Sequence, residues 1–120
     1  MNSTATDLRD PECIFCKIIA GEIPSERVHE DEQVIAFQDL SPKAPVHLLV
    51  VPREHHRDVR DLADRPELLA HVVQIASRVA SEQADGDFRL IFNTGANAGQ
   101  TVFHVHAHVL AGETLPEGEM

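Results

Sequence analysis

Residues 104–109 read His-Val-His-Ala-His-Val, and this strict alternation constrains the chain more than any other segment. Successive side chains of an extended strand point to opposite faces. His104, His106 and His108 therefore share one face, while Val105, Ala107 and Val109 turn into a core. A strand of this kind, read over Val102–Ala111, needs a packed sheet around it and leaves three imidazoles side by side. Each titrates near neutrality and discourages protonation of its neighbours, so the central one stays neutral and nucleophilic, as covalent catalysis requires. A wet sheet face has no reason to repeat histidine at every second position. An exposed His-x-His pair would suit a zinc ion, but three in alternation point to a catalytic site.

The segment just before supplies a second half. Residues Thr94–Gly99 form a glycine-rich turn in which Gly95 and Gly99 let backbone amides converge on an anion. Thr101 adds a hydroxyl donor, and Asn93 closes the preceding strand within reach of the same place.

Elsewhere the pattern predicts a short helix over Cys13–Ala20 stopped by Gly21, and strands over Arg27–Glu30, Val34–Asp39, His47–Val51 and Phe88–Asn93. Ser41–Pro45 is a rigid loop whose prolines exclude helix. A long helix runs from Asp64 to Ala84, with Asp64 and Glu67 at capping-box spacing and Pro66 in its first turn. Its apolar stripe is Leu68, Val72, Ile75 and Val79 with Leu69, Val73, Ala76 and Ala80. About five strands with one long and one short helix make an α+β fold on an antiparallel sheet.

At 120 residues this is one domain, expected over residues 12–111 between tails at 1–11 and 112–120. Ten Lys and Arg are scattered among twenty acids, for a net charge of −10, which argues against nucleic acid as a partner. A single phosphate needs only a few local donors, so a nucleotide remains open. No apolar run approaches bilayer length, so no membrane partner is expected. Residues 1–12 are polar, with no apolar stretch typical of a secretory signal. Both cysteines fall in one Cys13-Ile14-Phe15-Cys16 unit, a spacing for metal or redox chemistry in a cytoplasmic protein rather than a disulfide framework.

The run His104-Val105-His106-Ala107-His108-Val109-Leu110 resembles the signature of the histidine-triad (HIT) family, His-x-His-x-His-x-x with apolar x. Similarity extends through residues 13–19, 36–42 and 45–52, so it covers nearly the whole chain from Glu12 to Leu110. These segments look like the Hint-like branch, the purine nucleoside phosphoramidate hydrolases. The resemblance implies that His106 attacks phosphorus to form a nucleotidyl-histidine intermediate, which water then cleaves. It implies that His108 holds the phosphate and that His47 orients His106 or relays its protons. Thr101 and nearby amides would steady the charge on the non-bridging oxygens. Asn93, Gly99, Gln100 and Val102 would line the phosphate and leaving-group side, and Asp39 would accept from the ribose hydroxyls. Ile14, Phe15, Ile18, Ile23, Phe37, Leu40 and Leu49 would form an apolar slot for the base.

The implied substrate is a purine nucleoside 5′-monophosphate conjugate such as adenosine 5′-phosphoramidate, with no cofactor required for catalysis. A homodimer is implied, joined through the Asp64–Ala84 helix and the Phe88–Asn93 strand. Cys13, Cys16, His55 and His104 are implied as ligands of a structural Zn²⁺, and two thiolates with two imidazoles suit a closed tetrahedral site. The chain departs from the family pattern at Thr101, where serine is common, and in its acidic tail, which has no aromatic residue. Three other readings use the same residues: a dinucleoside polyphosphate hydrolase, a nucleotide-binding scaffold whose hydrolysis is incidental, and a metal-binding protein with no catalysis.

Overall fold

The computed structural model describes residues 12–117. The tail expected over 1–11, and the last three residues of the one expected over 112–120, lie outside them. The described chain runs through α1 (Ile14–Ile19), β1 (Arg27–Glu30), β2 (Val34–Gln38), β3 (Val46–Pro52), α2 (Val59–Leu62), α3 (Pro66–Gln83), β4 (Arg89–Ile91) and β5 (Ala107–Ala111). A 3₁₀ turn at Ala96–Ala98 interrupts the β4–β5 connection. The strands form one antiparallel sheet in the order β1-β2-β3-β5-β4, so the fold is α+β as expected.

The two central strands explain the architecture. β2 and β3 are apolar at almost every position because both faces of the sheet are covered. Val34, Ala36, Leu48 and Val50 pack with Val105, Ala107 and Val109 against α3. Ile35, Phe37, Leu49 and Val51 pack on the opposite face against Phe15, Cys16 and Ile18 of α1. Fully burying one such aliphatic side chain contributes about 1.5–3 kcal/mol, and α3 buries Leu68, Val72, Ile75 and Val79 this way. Val73 is 38% exposed and lies off the expected stripe.

The structure corrects two expected boundaries. The strand read over Val102–Ala111 begins only at Ala107. The ladder pairs Val50 with Ala107, so continuing it would set Pro52 opposite Val105. Proline has no amide to donate there. The Val105 amide turns instead to the His56 carbonyl, at 2.7 Å. The alternation survives in the extended approach, since Val105 stays buried with Ala107 and Val109.

At the start of α3 the expected capping box from Asp64 does not form. Arg65 occupies the cap with φ −119° and ψ 73°, and no side chain bonds there. Pro66 drives the preceding residue out of helical geometry, which moves the cap one position along. No helix among the described residues is long and apolar enough to cross a membrane.

Candidate active site

The site lies on the sheet face that α1 covers. A slot of about 250 Å³ is walled by Ile14, Phe15 and Ile18 of α1, by Ile23, Pro24 and Ser25 after it, and by Phe37 and Leu49 of the sheet. Gln38, Asp39, Leu40, Thr101 and Val102 complete its rim, with His106 and His108 at one end. Leu40 is 94% exposed, an apolar side chain held open at the mouth. A larger groove of about 710 Å³ lies elsewhere, between residues 83–89 and 110–115. It is lined by no histidine or cysteine, so the chemistry belongs to the smaller slot.

Each triad histidine has a distinct environment, and its tautomer follows from what each ring nitrogen faces, since a carbonyl can only accept and an amide can only donate. His104 is fully buried. Its Nε2–H donates to the Pro52 carbonyl at 2.8 Å, which leaves the Nδ1 lone pair facing both Cys13 Sγ and Cys16 Sγ at 3.4 Å. Burial pushes its imidazole down to about 4.

His106 donates from Nδ1 to the His104 carbonyl at 2.8 Å, so its Nε2 carries the lone pair. Burial lowers its pKa and keeps that nitrogen unprotonated. Phe15 meets the His106 ring edge-on, with centroids 4.8 Å apart.

His108 is set by its neighbour. The Lys43 amide donates to Nδ1 of His47 at 2.9 Å, so the His47 proton sits on Nε2. That proton is donated to Nδ1 of His108 at 3.0 Å, with Asp39 Oδ2 3.4 Å from the same Nε2. His108 is left with a proton on Nε2. Burial and then the nearby imidazoles of His106 and His47 push His108 down to about 4. Adjacent rings therefore present an acceptor on His106 and a donor on His108, with centroids 5.0 Å apart.

Among the described residues, two donor sets have metal-binding spacing, Cys13/Cys16/His55/His104 and Asp39/His47/His108. In the first, Cys16 Sγ also lies 3.4 Å from His55 Nδ1. All three sulfur–nitrogen separations match the edge of about 3.5 Å in a tetrahedral thiolate–imidazole zinc site. His104 already aims a lone pair at the sulfurs, so these residues fit a zinc ion. The second set has the spacing but the wrong protons. The Lys43 amide forces the proton onto the very nitrogen that would have to ligate, so this set is a hydrogen-bond relay.

The expected slot residues Phe15, Ile18, Ile23, Phe37, Asp39, Leu40, Leu49, Thr101, Val102, His106 and His108 do meet. Asn93, Gly99 and Gln100 line no part of the slot. Gln100 is buried, with Nε2 donating to the carbonyls of Arg57 and Val102 and Oε1 accepting the Gly95 amide. Asn93 donates to the Ala98 carbonyl. The amides of Ala98, Gly99 and Gln100 close the same loop on the Gly95 and Ala96 carbonyls. The glycine turn therefore folds on itself, with positive φ at Gly95 and Gly99, and these amides form no anion cradle. Pro24, Ser25 and Gln38 were not anticipated; adjacency to Ile23 and Asp39 was the only sequence cue. Arg27 was missed as well. It donates to the Ile18 carbonyl and fastens the C-terminus of α1.

The family model described as scavenger mRNA decapping enzyme C-terminal binding matches residues 12–119. The chain belongs to the histidine-triad (HIT) family and is a HIT-family hydrolase. It is similar to the purine nucleoside phosphoramidase of Escherichia coli strain K12, 41% identical over 107 residues that cover 87% of this chain and 90% of the relative. An uncharacterised HIT-like protein of Synechocystis is 46% identical, covering 84% and 90%. Among solved structures, a HIT family hydrolase from Clostridium thermocellum superposes with a TM-score of 0.88 at 41% identity, over 93% of this chain and all of that one. A histidine triad protein from Clostridium difficile gives 0.85 at 44%, covering 91% and 97%.

Proposed function

We propose that this hydrolase cleaves the phosphorus–nitrogen bond of purine nucleoside 5′-phosphoramidates through a nucleotidyl intermediate on His106. The observation that carries this reading is the pair of opposed tautomers, a lone pair on His106 Nε2 beside a proton on His108 Nε2. In the first step His106 Nε2 bonds to phosphorus as the P–N bond breaks. The departing amine takes a proton from solvent, while the His108 Nε2–H donates to a non-bridging oxygen of the phosphate. Water then attacks phosphorus, the P–Nε2 bond breaks to restore neutral His106, and the water's spare proton passes to solvent. Thr101 stabilises the non-bridging oxygens, Asp39 holds the ribose, and the slot from Phe15 to Leu49 holds the base. The E. coli relative, named a purine nucleoside phosphoramidase, supports the choice of substrate.

The same reading includes a structural Zn²⁺ on Cys13, Cys16, His55 and His104, which holds α1 to the catalytic segment and takes no part in the chemistry. It also includes a homodimer in the reducing cytoplasm. β4 is a three-residue edge strand, and pairing across it with a second copy would remove an exposed edge from a small domain. Sedimentation of a single 13.3 kDa species at micromolar concentration would refute the dimer.

The experiment that tests the mechanism is a rapid acid- and base-quench of turnover on adenosine 5′-phosphoramidate. An acid-labile, base-stable adduct should appear on His106. The His106→Asn protein should bind AMP yet turn over at least about 10⁴-fold more slowly. Turnover near the wild-type rate would remove His106 as nucleophile, and faster cleavage of a diadenosine polyphosphate would favour that sister activity.

A further inference from the structure

The short helix α1 belongs to two sites at once. Cys13 is its N-cap, and the Cys13 sulfur accepts the Cys16 amide at 3.2 Å. Both sulfurs face His104. Between and beyond them, Ile14, Phe15 and Ile18 form a wall of the base slot. Phe15 packs edge-on against His104 at 6.1 Å, His106 at 4.8 Å and Phe37 at 5.8 Å between centroids. His104 in turn presents its imidazole to the sulfurs and its carbonyl to His106. One residue thus carries the Cys/His cluster into the nucleophile, and one six-residue helix carries it into the slot.

A helix of six residues is not stable by its own hydrogen bonds, so its position is set by its tertiary anchors. Those described are the apolar packing of Phe15 and Ile18, the Arg27 bond to the Ile18 carbonyl, and the two thiols. Sulfur–imidazole contacts at 3.4 Å are weak anchors without a cation, whereas thiolates on a cation at the same spacing are strong ones. The donors already stand at cation-binding separations, so a cation would select the α1 position that forms the slot rather than create a new one.

We propose that α1 couples the two sites: a tetrahedral cation on Cys13, Cys16, His55 and His104 tightens nucleoside binding in the slot, and a bound nucleoside tightens cation binding by the same factor. The proposal rests on the assignments of the zinc site and the nucleotide slot made above. Reciprocity is a thermodynamic necessity once the coupling exists, and couplings of this kind run from about 5- to 150-fold. The direction is fixed by geometry, since the α1 position that satisfies the sulfurs is the one that walls the slot.

The test uses the full chain, reduced and stripped of metal, with folding checked by circular dichroism. Co²⁺ is the probe, because its absorption reports tetrahedral thiolate coordination directly. Its affinity is measured with and without saturating adenosine, and adenosine affinity with and without Co²⁺. Adenosine carries no phosphate, so plain charge attraction between cation and phosphate contributes nothing. We expect about tenfold tightening in each direction. Co²⁺ affinity that is equal with and without adenosine, when both bind, overturns the coupling and leaves both site assignments standing. Tightening by AMP but not by adenosine overturns the helix route in favour of charge. Failure of Co²⁺ to bind tetrahedrally, or of adenosine to bind at all, overturns the corresponding site assignment and the coupling with it.

Discussion

His47 donates from Nε2 to Nδ1 of His108 at 3.0 Å because the Lys43 amide occupies its other ring nitrogen. The proton on His108 is therefore placed by a backbone amide two residues removed from the reacting atoms. Replacing His47 with leucine should free His108 to adopt either tautomer. We expect kcat on adenosine 5′-phosphoramidate to fall by about 100-fold with KM little changed, since His47 lines no part of the slot. Steady-state kinetics checks this. A kcat within about threefold of wild type would show that the relay is not needed.

Acid should weaken the fold through the same pair. Burial lowers His47, and burial with neighbouring imidazoles lowers His108 to about 4. Below the ordinary histidine value of about 6.5 the unfolded chain binds protons here that the folded chain refuses. Stability from these groups is thus complete above about pH 6.5 and lost progressively as pH falls toward 4. Urea unfolding of metal-free protein across that range should show the slope, and His108→Asn should reduce it. Stability that rises on acidification would contradict the assignment.

Gln100 should matter for stability rather than for contact with nucleotide. Gln100→Leu leaves the Gly95 amide and the Arg57 and Val102 carbonyls without their partner. A loss of about 2–3 kcal/mol is expected, read as a lower denaturant midpoint at unchanged slope. Slot binding, measured by adenosine titration well below the midpoint, should stay within about threefold. A stable Gln100→Leu protein with abolished adenosine binding would return Gln100 to the site.

Zinc content should track the sulfurs. Protein expressed with zinc should carry about one ion per chain. Cys13→Ser and Cys16→Ser should each lose it under mild chelation, and removal should lower Tm by at least about 5 °C. Zinc retained in the double serine variant would move the site elsewhere.

The central features were readable because they rest on local periodicity. The alternation at residues 104–109 announces which face holds the imidazoles, and the largely apolar segments Val34–Asp39 and His47–Val51 announce strands that prove buried. What was not readable depends on partners distant in sequence. Nothing local tells that Pro52 truncates the pairing of β5, because the clash exists only once β3 and β5 are in register. Gln100 sits beside Thr101 in sequence and looks like part of a phosphate loop. Its amide is claimed by Arg57, 43 residues away. The Asp64 capping spacing was correct as a pattern and was overruled by Pro66, an influence sequence reasoning could have weighed more heavily.

The contacts of Cys13 and Cys16 with His104 span 91 and 88 residues, most of the chain length. Closing a loop of that size is entropically expensive, and β3 brings its ends together by packing on α1 and pairing with β5. A chain emerging from the ribosome exposes Phe15 and Ile18 well before it presents the strand that completes their slot. Nucleotide therefore cannot template the early stages of folding; it can only stabilise a chain already closed. Cleavage anywhere between the two ends would leave both halves of the site intact as sequence and would abolish the loop that makes them one.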